Sequence, residues 1–354
     1  MRDEWQNGGW DEIFWRRRAG VTQRFNSPFS LFLIIVLPIL LVAPRAAWAQ
    51  AAKVRIGSSL SPPSLDAILP YVALEQGFFR KHGLDAQVIE FRGGGTNMKA
   101  LLAGEVEVSQ IGATDAIQGA AKGARVRLFF VPVPVSPFHF VARKDAAPTL
   151  QALVGKSVAV SGIGALSHHI PRIVLQRSGV DPDKVQYVAL GSPADRFRAL
   201  LAGKVDATMV LNTEAAKLAR YPEIVVLAQV SKVLPEVPYE FAIAKEEYLE
   251  RNPETMQRLT LALLEANRWI AANKAGTVAI TAKVTREETP EVLARAYDLA
   301  DPRHWGVNGD ISEAAYKYTA DFLAQVGYLK EALPLDRFFD RRFLDRALKD
   351  LGRR

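Results

Sequence analysis

The 354-residue chain is 49% apolar and 23% charged, a composition that buries a real core and suits roughly two domains. It has no cysteine, which excludes a disulfide framework, a cysteine-rich zinc or iron–sulfur site, a thiol nucleophile and a lipid-bearing cysteine. The formal charge of +7 arises from 45 basic and 38 acidic residues interleaved along the chain, so it describes a mildly basic solvated surface and no nucleic-acid face.

The longest apolar run, Phe29 to Val42, is short for a membrane span and suits the central region of a secretory signal. Arg16, Arg17, Arg18 and Arg24 precede it, and Ala47-Trp48-Ala49 places small residues where a signal peptidase reads them. This predicts a signal peptide over 1–49, cleavage before Gln50 and a periplasmic protein free of a lipid anchor. Arg45, inside the cleavage region, is the one residue that favours an uncleaved anchor instead.

From Lys53 a β-branched run, Val54 to Gly57, leads into the turn-rich SLSPPS and then a helical pattern over about 65–80. Gly83 turns the chain into a strand over 86–91, GGGT at 93–96 opens a second helix that ends at Gly104, and IGATDA opens a third after another strand. Strands and helices that alternate through short loops predict a mostly parallel sheet covered on both faces.

Ninety-nine residues on, the pattern returns. ALLAGEVEV at 100–108 matches ALLAGKVDA at 199–207, and Thr114, Asp115 and Ala116 match Thr213, Glu214 and Ala215 without a gap. The period is that of a duplicated domain, since solenoid units are shorter. It divides the mature chain into a first lobe over 50–140, a second over 141–236 and a return segment over 237–354. That last stretch carries one strand in YEFAIAKEEYL and then helices near 253–273, 275–283, 290–299, 311–326 and 341–351, expected to pack on the first lobe and brace the hinge. The crossing segments near 136–142 and 234–239 would form that hinge, with prolines at 134, 137, 235 and 238 limiting the torsions that bend.

The run YVALEQGFFRKHGLDAQVIEFRGGGTNMKALLAGEVEVSQIGATDA at 71–116 resembles the periplasmic substrate-binding proteins grouped with the sulfonate, taurine and nitrate binders and with the thiamine-pyrimidine precursor (NMT1/THI5-like) family. The likeness extends through KSVAVSGIGALSHHIPRIVLQRSGVDPDKVQYVALGSPADRFRALLAGKVDATMV, at 156–210, to FLAQVGYL and RFFDRRFL near the end. It implies the type II periplasmic binding protein fold: two α/β lobes with a hinge and a ligand cleft, plus C-terminal helices. It also implies a monomer that takes a small-molecule ligand, holds no cofactor or metal, and delivers its ligand to an ABC permease.

In an open parallel sheet, ligands sit beyond the carboxyl ends of the strands, where helix N-termini present free N–H groups. In the first lobe this selects Ser61 and Pro62, the glycine loop with Gly94, Gly95 and Thr96, and the stretch Gly112, Ala113, Thr114 and Asp115. In the second it selects Ser161, Gly162, Ile163, Gly164, Ser167 and His168, then Asn212 and Glu214, with Ser192 to Asp195 in the place of the GGG loop. Hydroxyls, glycines and helix N-termini favour an anionic head group, a sulfonate above all. Asp115 and Glu214 occupy equivalent first-turn positions, where a carboxylate caps its helix or, alternatively, reaches a ligand amine.

Gly155-Lys156-Ser157 lacks the upstream glycine of a phosphate loop and leads into a strand; the adjacent His168 and His169 diverge on a helix with no carboxylate cluster; and no serine sits in a nucleophile elbow. No catalytic machinery is visible. Two other readings remain open: a receptor for nitrate, bicarbonate or a pyrimidine precursor, and a sensor partner with no ATPase. A pyrimidine-synthesising enzyme of this fold would want a cysteine-rich motif that the chain lacks.

Overall fold

The computed structural model describes residues 51–354 except Glu287; the expected signal segment lies outside them. Ten strands are present among the described residues: β1 (Ala52–Ser58), β2 (Leu84–Glu90), β3 (Val108–Gly112), β4 (Val126–Val133), β5 (His139–Arg143), β6 (Ser157–Val160), β7 (Gln186–Ala189), β8 (Ala207–Val210), β9 (Ile224–Gln229) and β10 (Glu240–Lys245). They form two five-stranded sheets, ordered β2-β1-β3-β10-β4 and β7-β6-β8-β5-β9.

Place by place, the two orders are one pattern. The strands that follow the repeated ALLAG segment, β3 and β8, stand third in their sheets, and the helices before them, Gly94–Ala103 and Pro193–Leu201, both run out towards a glycine at positive φ, Gly104 and Gly203. Within each sheet the first three strands are parallel. The fourth is antiparallel to both its neighbours, and it is the strand that arrives from the other lobe: β10 in the first sheet, β5 in the second.

Three local expectations change. The helix expected over 65–80 is divided into a 3-10 turn at Leu65–Ala67 and helices at Leu69–Glu75 and Phe78–Lys81. Pro70, in the first turn of the middle piece, has no N–H to continue a helix from upstream, and Gly77 ends that piece with φ at 75°. The boundary at 140 and the hinge at 136–142 cut through β5, which is hydrogen-bonded on both edges within the second sheet; the outward crossing is therefore 134–138. The return crossing is 234–239, and the two crossings hold each other: Ser136 N–H donates to the Val237 carbonyl at 3.0 Å and Tyr239 N–H to that of Val133 at 3.0 Å. Finally, the segment after β10 is not purely helical, since Phe339 forms an isolated bridge with Leu128 of β4.

That segment packs on the first lobe. Helix Pro253–Ala272 lies against Leu69–Glu75, β4 and the final helix Arg342–Leu351. The Arg268 guanidinium ties three loops together, donating to the carbonyls of Val307 (2.8 Å), Leu351 (3.0 Å) and Gly352 (2.5 Å).

Candidate ligand-binding site

A cavity of about 60 Å³ lies between the lobes, and most of its lining follows the carboxyl ends of strands. After β1 come Ser59, Leu60 and Ser61; after β2, Arg92, Gly93 and Gly94; at and after β3, Gly112 and Asp115; after β6, Ser161, Leu166 and Ser167; after β7, Gly191, Ser192, Pro193 and Arg196. The hinge supplies the rest: Phe138 and Tyr239, in edge-to-face contact at 5.4 Å, and Glu240 at the first position of β10. At ~10–15 Å³ per water-sized group, such a space holds only a handful of heavy atoms.

A buried polar knot sets the first-lobe loops. Asn97 Nδ2 donates to Ser59 Oγ and to the Gln110 carbonyl, both at 2.9 Å, while Ser109 Oγ donates to Asn97 Oδ1 at 2.7 Å. This ties the end of β1, the glycine-loop helix and β3 into one rigid corner. In the second lobe, Ser161 N–H donates to Ser167 Oγ at 2.8 Å, and the two hydroxyls lie 2.8 Å apart. Ser192 caps the helix Pro193–Leu201 by accepting from Asp195 N–H at 3.2 Å.

Of the residues selected from sequence, Ser61, Gly94, Gly112, Asp115, Ser161 and Ser167 line the cavity. Gly95, Ala113 and Gly162 flank it. Pro62 and Ile163 are exposed, and Thr96 turns its hydroxyl back on the Gly93 carbonyl at 2.9 Å. Thr114 is buried with its hydroxyl unpartnered. Glu214 is buried and accepts from Leu211 N–H at 3.2 Å, the capping role; burial pushes its carboxyl up.

Asn212, Gly164 and His168 join the lobes away from the cavity. Asn212 Nδ2 donates to Asp66 Oδ1 of the first lobe at 2.7 Å, and His139 Nε2 lies 3.1 Å from Asn212 Oδ1. Burial raises the Asp66 carboxyl to about 8. On another flank, Gln118 of the first lobe donates to the Gly164 carbonyl at 2.7 Å, and its amide lies 3.0 Å from His169 Nε2. His168 Nδ1 accepts from Gly164 N–H at 3.1 Å and lies 3.3 Å from the Tyr328 hydroxyl. Burial, with Arg172 nearby, lowers His168 to about 4, so this junction is neutral near pH 7.

Sequence reasoning missed three charged groups in the lining, the exposed Arg92 and the buried Arg196 and Glu240. Arg196, one residue beyond the Ser192–Asp195 loop, is 1% exposed, yet its contacts are long: Nη1 to the Gly191 carbonyl at 3.4 Å, Nη2 to that of Met209 at 3.3 Å, and none at Nε. Among the described residues it makes no ion pair. Burial pulls its guanidinium down to about 10, which still leaves it charged. Glu240 breaks the apolar run of β10, and that break was the legible signal; Gln110 Nε2 donates to its carboxyl, and burial raises it to about 8. Asp115 is raised to about 7 by burial, against the lowering effect of the Leu166 N–H that faces it.

Two like-ordered sheets, a crevice at the strands' carboxyl ends and two crossings define the periplasmic binding protein fold. The alkanesulfonate-binding protein SsuA of Xanthomonas axonopodis pv. citri, solved with MOPS bound, shares it at TM-score 0.70 and 21% identity over 83% of this chain and 99% of that one. The nitrate-binding protein NrtA of Synechocystis PCC 6803 does so at TM-score 0.71 and 15% identity, covering 86% and 90%. A binding protein of Brucella abortus, BAB2_1146, is 28% identical over 309 residues, 83% of this chain and 91% of its own. The NMT1/THI5-like family model matches residues 66–276, and the chain belongs to that family.

Proposed function

We propose that the protein is the exported, solute-binding receptor of an ABC importer, and that it closes its lobes on a small organic anion, a sulfonate by preference. The observation that carries this reading is Arg196, a buried guanidinium that among the described residues is in ion-pair contact with no carboxylate, lining a cavity between lobes. A buried charge without a counterion is costly, and an anionic ligand supplies the missing half. The first turns of helices Leu166–Arg177 and Pro193–Leu201 lie at the same cavity, where the positive ends of the helix dipoles favour an anion. The related sulfonate and nitrate binders agree with an anion, and the small cavity favours a compact one.

Calorimetry on the chain beginning at Gln50, over short alkanesulfonates, nitrate, bicarbonate and aminopyrimidines, tests the reading. A sulfonate should bind and raise the melting temperature, since a ligand at 100 times its Kd adds about 2.7 kcal/mol. Binding of pyrimidines alone would sink it. N-terminal sequencing of exported material should begin within a few residues of Gln50; an intact Met1 would refute the cleavage.

Closure about 134–138 and 234–239 brings a separate expectation. Gln118 donates to the Gly164 carbonyl of the second lobe and its amide lies 3.0 Å from His169 Nε2, so Gln118→Ala weakens the form in which the lobes meet. The loss of about 0.5–1.5 kcal/mol raises Kd about two- to tenfold. Calorimetry checks it; a lower melting temperature at unchanged Kd would make the contact purely structural.

A further inference from the structure

Away from the cavity, the lobes also meet at a buried cluster built around an enclosed carboxyl. Asp66 lies in the 3-10 turn Leu65–Ala67 of the first lobe and is fully buried. Its Oδ1 accepts from Asn212 Nδ2 of the second lobe at 2.7 Å, and Asn212 Oδ1 lies 3.1 Å from His139 Nε2 at the start of β5. On its other side His304, from the segment after β10, places Nε2 3.5 Å from the same Asp66 Oδ1. Asp66 Oδ2 and His304 Nε2 have no hydrogen-bond partner among the described residues. Two orphaned atoms thus sit side by side at a junction between lobes.

The groups packed on this cluster give Asp66 no positive charge near pH 7. Burial lowers His304 to about 4, although a hydrogen bond to the backbone of Val135 and the nearby Asp301 favour its charged form. His139 is lowered by burial and by Lys232. Glu214, from the helix Asn212–Ala215, opposes ionisation of Asp66, while the Lys217 that faces Glu214 is paired with Glu288. Arg303, beside His304, is paired with Asp301. Tyr239 and Glu240, at the return crossing, feel Asp66 as a like charge, and Arg196 acts on Glu214 and Tyr239. Burial outweighs the hydrogen bonds from Asn212 and holds the Asp66 carboxyl at about 8.

We propose that Asp66 and Asn212 form a proton-gated latch between the lobes, in which the protonated carboxyl, backed by the uncharged ring of His304, holds the lobes together and its ionisation lets them part. Both are positioning residues, since neither lines the cavity. The inference rests on the receptor reading only for the motion of the lobes and asks nothing of the ligand. When the lobes part, Asn212 withdraws and water reaches Asp66, whose carboxyl returns towards the ordinary value of about 3.9. A carboxyl that holds its proton more firmly in the joined form makes closure take up a proton. That contribution is complete below the value of the parted form, declines as pH rises, and is gone above about 8. An ionised Asp66 in the joined form would be a buried charge with no cation beside it, and parting the lobes relieves it.

The chain has no cysteine, so Leu102→Cys and Val188→Cys, exposed positions one in each lobe, take a pair of spin labels without competition. Pulsed electron paramagnetic resonance on the chain beginning at Gln50, with no ligand added, reads the ratio of joined to parted form from the distance between labels. That ratio should fall at least tenfold from pH 6.0 to pH 8.5. Asp66→Asn, close in shape and unable to ionise, should remove the pH dependence; a fall that survives in it would make Asp66 a structural contact only. Asp115→Asn and Glu240→Gln, which alter the other carboxyls that burial raises, should keep the fall, and they decide the matter should Asp66→Asn fail to fold. A single distance at both pH values, or a fall lost in Asp115→Asn or Glu240→Gln, overturns the latch and leaves the anion receptor standing. Failure of every anion to bind in the calorimetry overturns the receptor and leaves the latch standing.

Discussion

Replacing Arg196 by methionine should abolish ordinary detection of anion binding while leaving the empty protein as stable as before, or more so. Methionine retains the buried stem's apolar packing and removes the guanidinium. Truncating one partner of a buried, hydrogen-bonded charge pair costs about 2–5 kcal/mol of binding, or roughly 30-fold to several thousand-fold in Kd. The stability side runs the other way. In the unliganded protein the guanidinium is desolvated and held only by two long contacts, 3.3 and 3.4 Å, to the carbonyls of Met209 and Gly191. Burial that lowers its pKa to about 10 marks a charge the fold retains at a cost. Calorimetry with ethanesulfonate, paired with a thermal melt, separates the two roles. A variant that binds normally but melts early would make Arg196 a structural residue and move the anion elsewhere.

The sequence repeat carried most of the architecture. Matched words at 100–108 and 199–207 placed β3 and β8 at equivalent positions, and the strand order of the two sheets follows from that equivalence once a crossing strand is inserted fourth in each. The loops beyond the strands were legible for the same reason: the cavity lies at the carboxyl ends of parallel strands, and Ser61, Gly94, Gly112, Asp115, Ser161 and Ser167 could be counted from there. The hinge's part of the cavity was not. Phe138 and Tyr239 reach it because the chain crosses twice between lobes, a long-range event with no local periodicity to announce it. Polar residues in the right loops were also diverted. Asn212 and Gly164 spend their hydrogen bonds on Asp66 and Gln118 of the facing lobe, and Glu214 caps its own helix, distinctions set by partners far away in sequence. Arg196 eluded a search for short donors because long basic side chains on helices are usually solvated, and only the packing shows this one enclosed.

Gly306→Ala should be among the most damaging single-methyl changes in the chain. β4 is the last strand of its sheet, and the C-terminal segment covers its free edge in place of a sixth strand. Val131 N–H donates to the Gly309 carbonyl at 2.7 Å, Gly306 N–H to that of Pro132 at 3.1 Å, and Asp340 N–H to that of Leu128 at 2.8 Å. Asn267 Nδ2 donates to the carbonyls of Pro132 and Gly306, so the clamp is fixed from behind as well. A Cβ on Gly306 would lie 2.4 Å from the Val131 carbonyl oxygen and 2.9 Å from that of Pro132. Both are backbone atoms of a paired strand, with no rotamer through which to yield. The clamp has to lift, which exposes the strand edge and breaks several hydrogen bonds at once, a loss of about 3 kcal/mol or more and roughly 6–12 °C in Tm. Since Val133 leads directly into the 134–138 crossing, the displacement also reaches the hinge, and ligand affinity should fall although residue 306 lies outside the cavity lining. Gly95→Ala is the control: a helical position with nothing within 4 Å of the added methyl group, where alanine should leave Tm level or slightly higher. If the two variants melt together, steric exclusion at the β4 edge is not what makes residue 306 a glycine, and the brace between the C-terminal segment and the hinge loses its physical basis.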